Sequence, residues 1–546
     1  MSFVFVKRPP MSLLLALIVA VTALTWFPVL RNDFVHWDDT HLILENPLVR
    51  SFSPQIFTTF DPELYIPLTL FTFQVEHALF GFDPFFFHLD NLLLHIVNGL
   101  LVFAFLAFLR PSDRTGTSRA AGDGCAARWC AVFGALLFAL HPLHAEAVAW
   151  VSARKELLFT AFFLASIIAY ILSRRTSAAH PQNTSVRRLW HFLSLLFFLL
   201  SLLAKATAIT LPIVLLLLDY REGRKLSGSL MRGKWAHWML ALLFGLIAII
   251  GQRASTFPLT PFASLLLAAR SIVFSLTKLL LPIHLSALYP APPVVPNIAF
   301  LLPVFLFMLF AVLLWILRRR SREMVFGGAF FLVTLAPGLL SCVKADTVTL
   351  TADHYTYLPS VGWVLIIVVF LEWFLRRRGL RIPLLLGMVG VLLLFARLAT
   401  AESAAWKNTG TLFGRVLREY PDSHIAHNNL GFFLMGQGDL DGALAHFEEA
   451  VRLRPEYTDA LLNIATVYAK QKRYDAAEAN IRRALAINPE NALAHFDLGG
   501  IHFLRRAWDE AILEYRITLQ LSPSFARASS QLAKTYLRKG MEEKAR

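Results

Sequence analysis

The chain has 546 residues, 56% of them hydrophobic, and a mean hydropathy of +0.55, whereas roughly 45 to 50% of a soluble domain is apolar. This composition excludes an ordinary soluble protein and predicts several membrane spans. The net charge is +15. Residues 1–400 hold 33 Lys and Arg against 19 Asp and Glu, and the rest of the chain holds 19 against 18. The excess therefore lies in the apolar part, where basic loops orient helices, and nucleic-acid binding is not expected.

The first apolar run, residues 11–30, follows basic residues as a signal peptide would, but no small-residue cleavage site comes after it. We expect it to be a retained first helix. The stretch from Trp190 to Tyr220 is too long for one span, and basic residues flank it at both ends. A hairpin that turns at Lys205 returns both flanks to one side, as the positive-inside rule favours. Residues 254–297 are expected to form an outer-surface or re-entrant amphipathic segment.

This interpretation gives eleven spans. If the N-terminus lies inside, 23 of the 33 Lys and Arg in the first 400 residues fall on the inner side, as the positive-inside rule favours. Apart from the hairpin, the spans are predicted near residues 11–30, 88–109, 129–148, 156–173, 236–252, 298–317, 324–342, 358–375 and 382–400. The sequence thus predicts a membrane helix bundle in residues 1–400.

A repeat replaces the apolar runs after residue 400. Pro421, Pro455, Pro489 and Pro523 are spaced 34 residues apart, which is the period of the tetratricopeptide (TPR) helix pair. Small and large apolar residues recur at matching positions in each unit, as stacking of helix pairs requires. We therefore predict an all-α protein with a connecting helix, or half-repeat, and a TPR solenoid that span parity places outside. The predicted segments are 401–423 for the connection and 424–457, 458–491, 492–525 and a partial 526–546 for the repeats.

Ionisable residues gather in the loops that this topology places outside. The first of them contains NDFVHWDDTHLILENP, in which Asp38 and Asp39 follow a membrane helix. Ionisable groups at the membrane rim are costly and by default indicate a functional site. We expect the outside loops to line one cavity. The candidates from the other loops are His144, Glu146, Arg154, Lys205, Asp353, His354 and Tyr357.

Each candidate also has a purely structural interpretation. Asp38 and Asp39 are suitable caps for a helix at THLILEN, and Lys205 can extend from a hairpin tip to the interface. Arg154 can anchor the start of a helix, and tyrosines such as Tyr357 suit an aromatic belt. The spacing His-x-x-His-x-Glu at residues 141–146 is not a strong zinc-ligand pattern, so no metal site is predicted.

Five blocks of sequence, taken together and in order, resemble one family. The blocks are FVHWDDTHLILENP, YIPLTLFTFQVEHALFGFDPFFFHLDNLLLHIVNGLL, HPLHAEAVAWVSARKELL, LLAKATAITLPIVLLLLDY and ADHYTYLPSVGW. With the repeats that follow, they are similar to the transmembrane and tetratricopeptide repeat-containing (TMTC-type) protein O-mannosyltransferases of the GT-C class and their bacterial relatives. The resemblance covers essentially the whole chain. One departure is His354, where many relatives would have Arg.

The resemblance implies transfer of a sugar, mannose in the first instance, from a polyprenyl-phosphate donor to a Ser or Thr hydroxyl of a protein. It maps the acidic motif of the first outside loop onto Asp38, as the base, and Asp39, as a residue that orients the base or the acceptor. Cationic and donor groups must stabilise the phosphate leaving group. For that role we expect Lys205, Arg154, His354 and Tyr357. Glu146 and His144 are expected to bind the sugar or the acceptor. Asp353, in the same loop as Tyr357, is a further predicted substrate-binding residue. The expected course is inversion by a single displacement, and this logic requires no metal ion or other cofactor.

Two other functions stay open on sequence grounds. One is a non-catalytic membrane scaffold whose solenoid recruits partner proteins, and the other is a lipid-linked glycan ligase or polymerase. A transporter is disfavoured, because the ionisable residues lie towards one face and not at mid-membrane between inverted repeats. We expect a bacterial inner membrane with a periplasmic solenoid, and the alternative is an endoplasmic reticulum membrane with a lumenal solenoid. The acceptor protein is the partner expected for the solenoid.

Overall fold

The computed structural model describes residues 10–541 except 61–63, 110–118, 180–181, 226, 252–259, 291–296, 340–349, 376, 378, 380 and 524. Within these residues the regular elements are helices, which confirms the all-α prediction. The chain divides into two compact units, Met1–Asn408 and Thr409–Arg546.

The first unit contains long apolar helices joined by short irregular segments. Its helices are α1 (Met11–Trp26), α2 (Pro67–Phe80), α3 (Pro84–Phe108), α4 (Arg119–Ala139), α5 (Ala145–Ala149), α6 (Arg154–Ala179), α7 (Thr184–Ala204), α8 (Leu211–Arg221), α9 (Gly228–Arg232), α10 (Trp235–Gly251), α11 (Pro261–Leu280), α12 (Ile298–Leu317), α13 (Arg322–Leu339), α14 (Ser360–Leu375) and α15 (Arg381–Ala405). Many large apolar side chains on α10, α12 and α15 are exposed, as expected of helices that face lipid. The membrane-bundle prediction is thus confirmed for this unit.

Eight helices within the described ranges have the length and composition of a membrane span, and nine if α4 and the bent segment Pro142–Ala149 form one broken span. Two shorter apolar helices, α10 and α14, lie at predicted spans. The predicted hairpin corresponds to α7, a break at Lys205 and α8: Lys205 pairs with Glu156 at the start of α6, whereas Asp219 on α8 accepts from Tyr170 towards the end of α6. The 11 residues of α8 cover only about 16 Å, half of a hydrocarbon core. Conversely, α11 is long and apolar enough to span the membrane, although the distribution of basic residues between the two sides favoured an outer-surface or re-entrant segment there. The eleven-span topology stays a prediction.

Close contact between α13 and α14 fixes the position of the segment that precedes α14. A Cβ atom added at Gly362 would collide with the carbonyl oxygen of Gly327, and the reverse substitution would collide as well. Small residues allow helix backbones to approach in this way within membranes. The approach holds residues 350–359, which include Asp353 and His354, against the bundle.

The second unit is a stack of antiparallel helix pairs preceded by a single helix. Its helices are α16 (Thr409–Glu419), α17 (His424–Gly436), α18 (Leu440–Leu453), α19 (Thr458–Lys470), α20 (Tyr474–Ile487), α21 (Ala492–Leu504), α22 (Trp508–Leu521) and α23 (Ala526–Arg538). Buried Ala443, Phe447, Ala477 and Ile481 occupy the packing positions expected from the repeat. The solenoid prediction is confirmed.

Substitution of Gly431 by alanine is expected to destabilise the solenoid. The added Cβ would lie 2.8 Å from a ring carbon of Phe447 and 3.1 Å from the carbonyl oxygen of Ala443, and such overpacking costs about 1–3 kcal/mol. Gly436→Ala, in the same helix but with no atom within 4 Å of the new Cβ, is the matched control and should be neutral or slightly stabilising. The measurement is limited proteolysis of the full chain at increasing temperature, which gives the temperature at which a protease begins to cleave the solenoid. Equal temperatures for the two variants would contradict the packing argument.

Candidate functional site

Two backbone anchors fix the segment that carries Asp38 and Asp39. After α1, a 3-10 turn at Phe27–Arg31 ends the first helix. The Asn32 side chain donates to the carbonyl oxygen of Ser403 over 3.3 Å, and the amide of Asp33 donates to the carbonyl oxygen of Lys407 over 2.8 Å. The acidic segment therefore starts beside the end of α15, at a position that packing determines.

Asp39 is buried, and hydrogen bonds occupy both oxygens of its carboxylate. Oδ1 accepts from the backbone amide of Ser152 over 2.9 Å and from its hydroxyl over 2.5 Å. Oδ2 accepts from the amide of Val35 over 3.0 Å. Asp39 thereby joins the first loop to the loop before α6 and holds its neighbour Asp38 in place, as expected of an orienting residue.

Burial raises the pKa of Asp39 from 3.8 to about 6, although its three hydrogen bonds oppose the shift. Because the pKa is raised in the folded chain, the folded chain binds more protons than the unfolded one between about pH 4 and 6, and its stability should fall as the pH rises through this window. We expect Asp39→Asn to flatten that slope while lowering stability, since the amide nitrogen of Asn cannot accept the hydrogen bond that Val35 donates. Thermal melting at several pH values measures the slope. Asp33→Asn, at an exposed position, is the control, and an unchanged slope in Asp39→Asn would contradict the assignment.

Asp38 differs from its neighbour in having free oxygens. Its side chain is half-buried, and no hydrogen bond or ion pair to it is found among the residues that the structure describes. Its charge acts on both Glu146 and His354, so it lies near these two residues of the other loops. The helix-cap interpretation lacks support, because neither Asp38 nor Asp39 caps the π-helical turn Thr40–Leu44 with its side chain.

Glu146 and His354 are in close contact, although 208 residues separate them in sequence. Oε2 of Glu146 accepts from the backbone amide of His354 over 2.8 Å, and its Oε1 lies 2.9 Å from Nδ1 of the imidazole. That second approach is not a well-aligned hydrogen bond, so both atoms are buried without a partner among the described residues. Buried polar atoms without partners are uncommon and are often completed by a ligand or water.

The imidazole of His354 also connects Glu146 to a second carboxylate. Its Nε2 lies 3.9 Å from Oε1 of Glu156, and Glu156 forms an ion pair with the buried Lys205. Burial lowers the pKa of His354 to about 3, despite the opposing charge of Glu156, so the ring is neutral near pH 7. The Lys205 ammonium lies against the ring of Tyr355, 5.2 Å from its centroid.

Asp353 extends this group of side chains towards the segment after α11. Its Oδ2 accepts from the hydroxyl of Tyr289 over 3.0 Å. Burial and the nearby charge of Glu146 raise the pKa of Asp353 well above its usual value. We call the whole set the polar cluster. Its members are Asp38, Glu146, Glu156, Lys205, Asp353 and His354.

An aromatic wall adjoins the polar cluster. Trp150 stacks on Trp37, with centroids 5.0 Å apart, and on Trp406 at 5.7 Å. The same indole meets His354 edge-on at 5.9 Å, and the ammonium of Lys155 lies 5.4 Å from it. The wall and the polar cluster together offer apolar faces, carboxylates and two ammonium groups in one region.

The structure brings Arg154 together with a different set of residues. Its guanidinium is completely buried and forms an ion pair with Glu76 on α2. It also donates to Oδ1 of Asn91 over 2.9 Å and to the carbonyl oxygen of Phe87 over 2.8 Å, both on α3. The ring of Phe73 covers one of its faces at 4.6 Å. These contacts join the start of α6 to α2 and α3, as an anchoring role requires.

His144 and Tyr357 are likewise enclosed by helices. The hydroxyl of Tyr357 contacts Nδ1 of His95 at 2.7 Å and accepts from Asn98 over 3.2 Å. Nε2 of His144 lies 3.2 Å from the hydroxyl of Ser360. Both side chains are fully buried. Tyr357 thereby joins the segment before α14 to α3, and His144 joins the turn before α5 to α14. The polar cluster contains the other predicted site residues except Asp39 and Arg154.

Sequence reasoning did not single out Glu156, Ser152 or Tyr289. Glu156 stands in the first turn of α6, where a carboxylate also suits the helix dipole, so its position alone carried no signal. Ser152 and Tyr289 become relevant only through their hydrogen bonds to Asp39 and Asp353. Among the described parts of the chain, no group of three His, Cys, Asp or Glu side chains has the geometry of a metal site.

Similarity to known proteins was found in both parts of the chain. A family model described as tetratricopeptide repeat matches residues 434–495. Solved structures match the repeats, among them a crystal structure of MamA, 25% identical over 25% of this chain and 80% of that one, with a TM-score of 0.23.

Curated relatives match over a much larger share of the chain. The human protein O-mannosyl-transferase TMTC1 is 26% identical over 83% of this chain and 56% of its own length. The Drosophila melanogaster protein O-mannosyl-transferase Tmtc3 is 26% identical over 86% of this chain and 58% of its own length. The chain thus spans a little over half the length of these relatives. The resemblance seen in the five sequence blocks is confirmed, and the chain is a relative of the TMTC-type protein O-mannosyltransferases.

Proposed function

We propose that the protein is a membrane glycosyltransferase of the GT-C class. It transfers a sugar, mannose in the first instance, from a polyprenyl-phosphate donor to a Ser or Thr hydroxyl of a protein. The observation that carries the proposal is the half-buried Asp38 carboxylate, which has no described partner and lies near enough to Glu146 and His354 for its charge to act on both. The names of the relatives support the same class of reaction.

The proposed reaction is a single displacement at C1 of the sugar. The acceptor oxygen forms the new bond to C1, the bond from C1 to the phosphate oxygen breaks, and the hydroxyl proton moves to Asp38 as general base. The configuration at C1 inverts, and polyprenyl phosphate leaves with the bonding electrons. Asp39 keeps Asp38 in position through its bonds to Ser152 and Val35.

The leaving phosphate needs positive charge nearby. Lys205 and Lys155 are the ammonium groups beside the polar cluster, and both act electrostatically on His354. Arg154 is occupied by Glu76, Asn91 and Phe87, and Lys205 is paired with Glu156. We therefore assign the phosphate first to Lys155, whose ammonium donates to the carbonyl oxygen of Ser152 over 2.9 Å, with Lys205 as the second positive charge. The unpartnered atoms of Glu146 and His354 are suited to sugar hydroxyls, which both donate and accept.

Stacked indoles favour a carbohydrate as the ligand. The apolar face of a sugar ring packs on an aromatic plane. Trp150 and Trp406 are buried and stack on one another, so the half-buried Trp37 is the indole whose plane we assign to the sugar. The TPR unit supplies a surface of the type that binds proteins, and we propose that it binds the acceptor. Two membranes suit this reaction: a bacterial inner membrane with a periplasmic solenoid, which we prefer, and an endoplasmic reticulum membrane with a lumenal one.

The test is transfer by the purified full chain in detergent. Labelled polyprenyl-phosphate mannose is incubated with the protein and a panel of Ser- and Thr-containing peptides, and the label in peptide is measured. We expect transfer that stops when the acceptor hydroxyls are absent. Label that enters a lipid-linked glycan, with none in peptide, would favour the ligase alternative. Absence of transfer with several sugars and acceptors would favour the non-catalytic scaffold.

A further inference from the structure

A second cavity lies at the other end of α6 from the polar cluster. It has a volume of about 560 Å³ and is formed by the C-terminal part of α6, the start of α7 and the segment around α9. Arg154 and Arg174 are 20 residues apart on α6, which corresponds to about 30 Å along the helix, the thickness of a hydrocarbon core. The cavity therefore lies about one bilayer thickness from the candidate active site, among loops that the sequence predicts to be inside.

Three arginines without acidic partners line this cavity. They are Arg174 on α6 and Arg187 and Arg188 on α7, and none of them forms an ion pair with a residue that the structure describes. The first turn of α7 contains no acidic residue, and the start of this helix adds the positive end of a helix dipole. The positive charges of Arg187 and Arg188 are unfavourable next to the positive end of this helix dipole unless an anion lies nearby. The site therefore favours binding of an anion.

Nearby acidic groups do not supply the missing negative charge. Asp219 is buried and forms an ion pair with Lys234, and it also accepts from the hydroxyl of Tyr170 over 3.2 Å. Glu222 lies 3.3 Å from Arg224. Glu222 also interacts with the charge of Arg174, but no carboxylate among the described residues pairs with Arg187 or Arg188, so an excess of positive charge remains at the start of α7.

The cavity also has an apolar side that faces outwards. Phe192 and Leu195 line it, and Leu189 and Phe192 are 52% and 59% exposed. These residues continue the lipid-facing surface of α7, directly beside Arg188. A soluble anion would use only the arginines, whereas an amphiphile would use both the charged and the apolar parts.

We propose that this cavity binds the phosphate headgroup of an anionic membrane lipid on the side of the membrane opposite the polar cluster. The arginines contact the phosphate oxygens, for which their planar fork is suited, and Phe192 and Leu195 contact the start of the acyl chains. Basic pockets between membrane helices on the inner side bind headgroups of this kind.

Phosphatidylglycerol is a suitable probe, because it combines a phosphodiester with acyl chains. The full chain is reconstituted in phosphatidylcholine nanodiscs with increasing fractions of phosphatidylglycerol, and retained lipid is measured by native mass spectrometry. We expect the double variant R187Q/R188Q to retain phosphatidylglycerol about 30-fold more weakly, the loss typical of two interfacial arginines. Both arginines are exposed, so the variant should fold normally.

The matched control is R318Q/R319Q, which removes two exposed arginines after α12 that do not line the cavity. It should retain phosphatidylglycerol as the unaltered chain does. Equal losses in the two double variants would overturn the proposal, because they would indicate general attraction to a charged bilayer. A separate arm uses inorganic phosphate and glycerophosphoglycerol in neutral nanodiscs. If either soluble compound raised the melting temperature of the chain as much as phosphatidylglycerol does, the proposal would also be overturned, in favour of a site for soluble phosphates.

Discussion

Asp38→Asn is expected to reduce sugar transfer by about 100- to 10,000-fold, the usual contribution of a general base. The amide keeps the shape of the carboxylate but cannot accept the hydroxyl proton. Because Asp38 has no described hydrogen-bond partner, the substitution breaks no packing contact, and the variant should melt like the unaltered chain. Initial rates with labelled donor and peptide measure the effect, which should lie in kcat with little change in KM for the donor.

Asp33→Asn is the control for this experiment. Asp33 lies one turn nearer α1, is exposed and accepts only from the amide of Phe34 over 2.8 Å, so its loss should leave transfer intact. Retained turnover by Asp38→Asn would remove this carboxylate from the mechanism. If every carboxylate of the polar cluster tolerated its amide variant, the scaffold hypothesis would take the place of the enzyme.

Arg154→Gln is expected to lower the stability of the first unit by about 3–5 kcal/mol, since removal of one partner leaves the other charge buried and unpaired. Glu76 has almost no access to solvent. The variant should therefore melt well below the unaltered chain in detergent. The double variant E76L/R154M replaces both charges by apolar groups and should recover much of the loss, which a general packing defect would not do.

An exposed ion pair provides the comparison for this second prediction. Arg452 and Glu449 are paired on the surface of α18, and Arg452→Gln should leave the melting temperature almost unchanged, because exposed ion pairs contribute little to stability. If Arg154→Gln melted normally but lost transfer, the guanidinium would belong to the substrate site, as the resemblance first implied. A lower melting temperature in Arg154→Gln that is restored in E76L/R154M would support the structural role of Arg154.

The architecture was largely predictable because it depends on local patterns. Apolar runs of about 20 residues indicate membrane helices in any context, and the 34-residue spacing of Pro421, Pro455, Pro489 and Pro523 indicates the solenoid. The exceptions were regions with mixed signals. The segment that contains α11 was expected to be an outer-surface or re-entrant segment because of the charges around it, whereas α11 is long and apolar enough to span the membrane. Lys205 lies at a break between two helices, as the predicted hairpin requires, but these helices are unequal, with 21 and 11 residues.

The candidate site was predictable as a set of loops but not as a set of contacts. Costly ionisable residues next to apolar helices singled out Glu146, Lys205, Asp353 and His354, and the structure brings these side chains together; their functional role stays a prediction. The same argument selected Arg154, because sequence shows where a charge lies along the chain but not which carboxylate faces it. Its partner Glu76 lies 78 residues away.

By itself, the sequence determined the helix content, the membrane character of residues 1–400, the repeats and the relationship to the TMTC-type proteins, since each of these depends on spacing along the chain. Only the tertiary structure decided which carboxylates are free and which are occupied. Asp38 and Asp39 are adjacent and chemically identical, yet Ser152 and Val35 occupy the oxygens of Asp39 and leave those of Asp38 available. The physical reason is that a hydrogen bond depends on angle and distance between groups from remote segments, and packing of the whole bundle sets both.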